Sequence, residues 1–229
     1  MNKAILFSAL KEQGKTNLIE ILCCCFDEMS THQRRTVFGT LYDKTDMPIL
    51  VSESVLEDVL EFCKESFEGV YYAPFEINSR NCTHIPEETE EWFEKLNDLL
   101  QLGFQLTKQE EHHSAVSVFD MLYKLIDRME TGEEIVFSDE YGSWMIPGDE
   151  RRYLEAYIIS LACVSTPQEY ARKAADLVER DSFGSFRNKV YSAALKYANE
   201  EQIEALNQEV KTKNIRTNRI GNSGSPNSG

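Results

Sequence analysis

The chain has 229 residues, of which 41% are hydrophobic and 10% aromatic, so wholesale disorder is excluded and one continuous core is expected. Its formal charge is −15, and setting aside the four basic residues that follow Glu209 leaves −19 on the rest of the chain. That charge excludes nucleic-acid phosphate and anionic membrane surfaces as partners of this acidic body, and suits either a basic protein partner or simple solubility. The sequence contains no apolar run of 18 residues, so we predict no transmembrane helix.

The chain has six cysteines, three of them adjacent at Cys23, Cys24 and Cys25. Adjacent cysteines in an apolar helical segment do not suit the disulfide framework of a secreted protein, so we predict reduced thiols and a cytoplasmic location. The short apolar patch from Ala4 to Leu10 lacks a cleavage site of small residues. We interpret it as a first amphipathic helix rather than as a signal peptide.

Apolar side chains recur every three or four residues along most of the chain, which predicts about ten amphipathic helices. After the N-terminal helix, helices are predicted to begin near residues 16, 31, 52, 86, 108, 150, 167, 185 and 199. These starts have no fixed period and most connections are short. We therefore predict an all-α fold of antiparallel hairpins, either an irregular solenoid like the tetratricopeptide and HEAT repeats or a helical bundle. One domain is predicted over residues 1–212, followed by a disordered, basic tail rich in Gly, Ser and Asn over residues 213–229.

Local signals mark several helix ends. Thr107-x-x-Glu110 is typical of a capping box, and Asp149 is predicted to be the N-cap of the helix that follows it. The strongest signal is Thr166-Pro167-x-Glu169, which combines an N-cap, a first-turn proline and a capping-box glutamate. Two glycines are predicted to end helices: Gly69 and Gly132.

Two long loops, residues 68–86 and 131–150, interrupt the helical pattern with prolines, asparagines and glycines. Loops of this length in compact domains are functional more often than short ones. If the hairpins stack regularly, both loops emerge on the same edge of the array. The sequence therefore predicts a partner-binding site made of loop residues and the start of the next helix: Asn78, Arg80, Asn81, Asp139, Glu140, Tyr141, Trp144 and Arg151.

Three pieces of the chain form a pattern of their own: Tyr71-Tyr72 with Phe75, Asn78-Ser79 and Asn81, then Thr89-Glu90-x-Trp92, then Phe137-x-Asp139-Glu140-x-Gly142-Ser143-Trp144 with Asp149. The pattern resembles a group of uncharacterised bacterial all-helical proteins whose loop reads approximately F-A-D-E-x-G-S-W-x-x-G-x-D. The resemblance covers about residues 65–205 and implies a bacterial cytosolic protein with no settled activity. Ser138 stands where the group tends to have alanine, and residues 146–149 replace its expected glycine-valine-aspartate run.

The sequence contains no motif that names an enzyme reaction, because the P-loop, G-x-S-x-G, G-x-G-x-x-G, H-E-x-x-H and repeated C-x-x-C patterns are all absent. Cys82-x-His84 has no matching second half of a zinc site. His112 and His113 are adjacent, so on a helix they point about 100° apart and do not easily bind one metal. We therefore predict no cofactor, and more readily a binding protein than an enzyme.

The leading hypothesis is a protein–protein interaction module that binds its partner through the two loops and an acidic surface, with Trp144 as an aromatic anchor. One alternative is an acidic inhibitor or immunity-type protein that masks a basic enzyme such as a nuclease. A second alternative is a metal-assisted hydrolase built on the clustered carboxylates of Asp139, Glu140 and Asp149, which suit a divalent ion.

Overall fold

A computed structural model describes residues 3–27, 29, 33, 37–38, 49–138, 140–180 and 187–215. Within those ranges the protein is all-helical, with nine α-helices and no strand, as the hydrophobic periodicity predicts. The chain divides by its internal contacts into two compact units, residues 1–46 and 47–229. This division reflects the density of contacts and does not test whether residues 1–212 fold as one domain, which stays a prediction.

The first unit contains helices α1 (Lys3–Lys11) and α2 (Lys15–Asp27). The predicted apolar stripe of α2 is largely exposed, and the three adjacent cysteines are exposed free thiols. Phe26 at the end of α2 packs against Phe38, with ring centroids 5.8 Å apart. The rest of the helix predicted from residue 31 lies outside the described residues.

In the described residues of the second unit, seven helices and a 3-10 turn at Ser143–Met145 are found. The helices are α3 (Ser52–Phe67), α4 (Glu87–Lys108), α5 (His112–Glu130), α6 (Glu150–Val164), α7 (Pro167–Arg180), α8 (Arg187–Tyr197) and α9 (Glu200–Thr212). Most helices contact the next helix, the next but one, or both: α4 packs on α3, α5 and α6, while α7 packs on α6, α8 and α9. One hydrophobic core runs through all of them.

Most of the predicted helix ends are confirmed. Gly69 and Gly132 follow α3 and α5 with φ of +76° and +90°, a conformation that closes a helix and that suits glycine. Thr166 Oγ1 accepts a hydrogen bond from the Glu169 backbone at 3.3 Å, as its N-cap role requires. A reciprocal capping box joins Asn199 to Gln202 at the start of α9.

One predicted cap is wrong, and a second is confirmed in its position only. Thr107 lies inside α4 rather than before a helix, and its buried hydroxyl lies 2.8 Å from Ser160 Oγ. The turn between α4 and α5 is made instead by Glu110, whose φ is +62°. Asp149 does occupy the N-cap position of α6, but its side chain makes no capping hydrogen bond.

The end of α9 continues into the predicted tail. Lys213 closes the helix, and the Ile215 backbone donates to the Val210 carbonyl at 3.0 Å. The Ile215 side chain is buried. Residues 216–229 lie outside the described residues, so the disorder predicted for them stays a prediction.

The close contact of α4 with α5 explains a glycine in the middle of a helix. Gly103 lies where a Cβ atom would stand 3.0 Å from the Val118 side chain and 3.1 Å from Phe119. Both of those side chains are fully buried. A side chain here would require Val118 or Phe119 to shift, so glycine suits this close approach of the two helices, although it costs helix stability by itself.

Candidate functional site

The base of the first loop is attached to α3 and α4 by one mixed aromatic and polar cluster. The Tyr71 ring packs edge-on against Phe62, with centroids 5.7 Å apart, and its hydroxyl donates to Glu65 at 2.8 Å. The Lys95 ammonium donates to the same carboxylate oxygen at 2.8 Å and to the Tyr71 hydroxyl at 3.0 Å. The hydrogen bonds from Lys95 and Tyr71 lower the pKa of Glu65, so the pair stays ionised at neutral pH.

The tip of the first loop is held by its own asparagines. Asn81 Oδ1 accepts from the Asn78 backbone at 2.6 Å, and Asn78 Oδ1 accepts from the Arg80 backbone at 2.9 Å. Asn81 Nδ2 donates in turn to the Glu76 carbonyl at 2.8 Å. These bonds use the two asparagine side chains to shape the turn, and they leave Arg80 exposed at its surface.

The two long loops contact each other through Phe137. Its ring lies edge-on to Tyr72 and to Phe75, with centroids 5.8 and 5.2 Å away. Its backbone is fixed by Thr89 in the first turn of α4, because the threonine hydroxyl donates to the Phe137 carbonyl at 2.8 Å. The aromatic residues of the first loop therefore pack against the second loop and support it.

The second loop presents Trp144 to solvent from a buried base. Trp144 is 70% exposed, whereas Ile146 is buried and Met145 packs against the core. Gly142 is buried beneath the indole, so close that a Cβ atom there would stand 3.1 Å from two of its ring atoms. The Met145 backbone donates to the Gly142 carbonyl at 2.9 Å, which closes the turn that carries the tryptophan.

The other predicted residues of the second loop differ in their surroundings. Glu140 is exposed, and its backbone carbonyl accepts from the Ser138 hydroxyl at 2.7 Å. Tyr141 is half-buried and packs against the core. Asp139 lies outside the described residues. The loop therefore offers Trp144 and Glu140 as its outward-facing members.

Arg151 lines a different feature from Trp144. It stands at one end of a groove of about 380 Å³ between α6 and α8, with Glu155 and Lys196 on the same groove. In the described parts of both loops, no hydrogen bond or ion pair joins Asn78, Arg80 or Asn81 to the second loop. The structure thus brings the two loops into contact through aromatic rings, and the nearness of their polar residues stays a prediction.

Sequence reasoning missed two buried polar clusters between α4, α5 and α6. In one, the Tyr153 hydroxyl donates to Asn97 at 2.9 Å. In the other, Ser160 Oγ lies 2.8 Å from the Thr107 hydroxyl and 3.2 Å from His112 Nδ1. A serine beside a histidine suggests nucleophilic catalysis, but Ser160 is fully buried and no substrate reaches it. In the sequence, Ser160 is a single serine within a helical pattern of apolar residues, and nothing near it indicates these contacts.

In the part of the chain that the structure describes, no group of three or more His, Cys, Asp or Glu side chains is placed to hold a metal ion. His84 packs against the Phe75 ring, with centroids 5.3 Å apart. The hydrolase hypothesis depends on Asp139, which lies outside the described residues, so it stays a prediction. No described helix is long and apolar enough to cross a membrane.

Comparison with known proteins identifies no relative of this chain. No protein-family model, no curated protein and no solved structure is similar enough to match it. The resemblance of the Phe137–Trp144 segment to bacterial helical proteins therefore stays an expectation, and a function has to be argued from the geometry of the site.

Proposed function

We propose that the protein is a helical scaffold that binds a protein partner through the surface formed by its two long loops and the first turn of α4. This surface, called the loop surface below, comprises residues 68–86, 131–150 and 87–91. The observation that carries the proposal is the exposure of Trp144 on a buried base. A large aromatic side chain that is already ordered in the free protein loses little entropy when a partner covers it.

The charge of the loop surface favours a basic partner. Glu87, Glu88 and Glu90 in the first turn of α4, and Glu91 directly after it, are all exposed, and none forms an ion pair within the described residues. Thr89, in the middle of this run, is the residue that hydrogen-bonds Phe137. Unpaired carboxylates and an exposed indole on the loop surface suit a lysine- or arginine-rich segment, through ion pairs and cation–π contact.

The scaffold itself is proposed to consist of stacked helical hairpins. Most helices contact one or both of the next two helices along the chain, and stacking of hairpins produces such contacts. Such an array places connections of alternate hairpins on one edge, which accounts for the contact between the two loops. A small-angle scattering curve fitted better by a rounded bundle than by stacked hairpins would contradict this part of the proposal.

The test compares Trp144→Ala with Leu60→Ala, which removes a large exposed apolar side chain from the middle of α3. Proteins captured by the wild-type chain from cells are identified, and each candidate is then purified and titrated directly. Loss of an interface anchor costs about 2 kcal/mol or more, so Trp144→Ala should weaken true binding about 30-fold or more. Leu60→Ala should leave it unchanged.

Because Trp144 is mostly exposed, the alanine variant should also keep its fold, losing less than about 2 kcal/mol of stability. Unfolding of Trp144→Ala would instead make the tryptophan a core residue. Equal affinity of both variants for every candidate would contradict the proposal that Trp144 anchors a partner.

The acidic surface supports a second candidate, an inhibitor or immunity-type protein that covers a basic enzyme. In that case the association rate should fall steeply as salt rises from 50 to 500 mM, because charge steering is screened over about 10 Å at 0.1 M. Replacing Glu87, Glu88, Glu90 and Glu91 with glutamine should then slow association more than Trp144→Ala does. The scaffold proposal expects the opposite order, with Trp144→Ala acting mainly on dissociation.

A further inference from the structure

A groove of about 260 Å³ lies between α5 and α7, away from the residues of the loop surface. Its walls carry alternating charge, with two aspartates on α5 facing two basic residues on α7. Lys173 contacts Asp120 at 2.7 Å, and Arg180 forms an ion pair with Asp127. These ion pairs join the two helices that form the walls of the groove.

The acidic groups of the groove are already neutralised within the protein. Asp120 accepts a second hydrogen bond from the Tyr157 hydroxyl. Asp176 pairs with Lys213 at the end of α9. Because these carboxylates have partners, they repel an incoming anion less than their number suggests.

Two polar atoms of the groove, in contrast, are buried without a hydrogen-bond partner: the Tyr123 hydroxyl and Arg180 Nη2. Tyr123 is only 4% exposed, and the Arg180 guanidinium lies 5.0 Å from the centroid of its ring, so the guanidinium and the ring are in contact. The nearest carboxylate oxygen to Arg180 Nη2 in its ion pair with Glu130 is 3.6 Å away, too far for a hydrogen bond. Buried donors left unsatisfied are rare in folded proteins and call for a ligand or water.

Two further cations stand at the rim. Lys124 of α5 and Arg172 of α7 both line the groove and are exposed. Within the described residues neither forms an ion pair. The groove therefore combines unsatisfied donors at its base with uncompensated positive charge at its opening.

We propose that this groove is a binding site for a small ligand that carries an oxyanion, either a phosphate or a carboxylate. The oxyanion accepts hydrogen bonds from Tyr123 and Arg180, and Lys124 and Arg172 attract it from the rim. The groove holds several times the roughly 30 Å³ that one water occupies, so it has room for such a group. This inference is independent of the loop surface, and either can fail without the other.

The test measures the melting temperature of the full chain in sodium phosphate, sodium acetate or sodium chloride at equal ionic strength. A ligand at ten times its Kd should raise the melting temperature by about 3 to 5 °C, and the rise should grow with concentration. A rise in phosphate alone identifies a phosphate site, and a rise in acetate as well identifies a general oxyanion site. No rise beyond that in chloride would overturn the proposal and leave water as the occupant.

Variants place the effect in the groove. The double variant Lys124→Ala, Arg172→Ala should lose the anion-dependent rise, while Lys108→Ala, Lys211→Ala, with the same change in net charge, should keep it. Tyr123→Phe removes a buried unsatisfied hydroxyl, so it should fold at least as stably as wild type and yet bind the anion several-fold more weakly. An undiminished rise in either Tyr123→Phe or the rim double variant would overturn the assignment.

Discussion

Phe137 is the side chain through which the two loops meet, so replacing it with alanine should separate them. The substitution removes both edge-to-face ring pairs, with Tyr72 and with Phe75, but leaves the backbone bond to Thr89 possible. The two loops would then lose the ring contacts that join them, while each keeps its own buried residues in the core. We expect Phe137→Ala to loosen the loop surface without unfolding the helices around it.

The size of the effect follows from the burial of the ring. Removing a fully buried phenylalanine side chain costs about 3 to 5 kcal/mol. Phe137 is half-buried, so its replacement should cost about half of that stability. Each edge-to-face pair contributes about 0.5 to 1.5 kcal/mol beyond buried area, which partly overlaps with the first figure. A loss of about 2 to 3 kcal/mol is therefore expected, and Phe137→Leu should lose less because it keeps apolar volume without the ring pairs.

Urea unfolding gives the stability, and hydrogen exchange followed by mass spectrometry shows where the protection is lost. Exchange should rise in residues 70–86 and 133–146 and stay at the wild-type level in α6 and α7. Leu60→Ala, a change at a side chain that is 57% exposed, is the control and should leave loop exchange unaltered. Unchanged loop exchange in Phe137→Ala, or an equal rise across α3–α9, would refute the view that Phe137 couples the loops.

Three other predictions test single features of the fold. Gly103→Ala should destabilise the protein by about 1 kcal/mol in urea unfolding. Overpacking against the buried Val118 side chain costs about 1 to 3 kcal/mol, and the better helix propensity of alanine offsets about 1 kcal/mol of that cost. A more stable variant would show that α5 can move away from α4. Burial raises the pKa of the Cys63 thiol to about 11, so at pH 8 only about one thiol in a thousand is ionised. An aromatic disulfide reagent should therefore label this cysteine last. The variant Cys63→Ala should lack the slowest phase of the labelling reaction. The hydrogen bond from Lys95 lowers the pKa of Glu65, so the contribution of Glu65 to the free energy of unfolding is complete above about pH 4.5 and is lost as pH falls through the lowered pKa. Between pH 5 and pH 2, wild type should therefore lose more stability than Glu65→Gln, by less than about 1 kcal/mol. Parallel plots of stability against pH for the two proteins would refute this role.

The helices and most of their ends could be predicted because their causes are local. Gly69 and Gly132 close helices by a backbone conformation that neighbouring residues do not alter. Asn199 and Thr166 cap with side chains that reach only three residues ahead. Each signal lies within one turn of the position it determines, so a single sequence is enough to find it.

Thr107 shows where local reasoning fails. The motif Thr-x-x-Glu has the spacing of a capping box, but the hydroxyl instead contacts Ser160, which is 53 residues away in the chain. The role of the Thr107 hydroxyl is therefore determined by its burial against α6, and no residue within one helical turn indicates that role. The same limit hides the Tyr153–Asn97 hydrogen bond, which spans 56 residues, and the orphaned hydroxyl of Tyr123.

The two tryptophans show the same limit within the candidate site. Trp92 is fully buried and donates to the Ser66 hydroxyl at 2.9 Å, whereas Trp144 faces solvent. Helical periodicity assigns Trp92 to an apolar stripe, because leucines follow it at intervals of three and four. The loop around Trp144 has no period, so its exposure depends on how Gly142 and Ile146 turn inward, which only the fold determines.

The internal contacts of the loops narrow the set of side chains that a partner can use. Asn78 and Asn81 already bond the backbone of their own turn, so recruiting them to a partner would first break the loop that presents them. Within the described residues, the side chains of Trp144 and Arg80 make no hydrogen bond that holds a loop in shape, and both are exposed. A partner that binds the preformed surface should therefore depend on Trp144 far more than on either asparagine. A partner that depends equally on Asn78 would have to remodel the first loop as it binds.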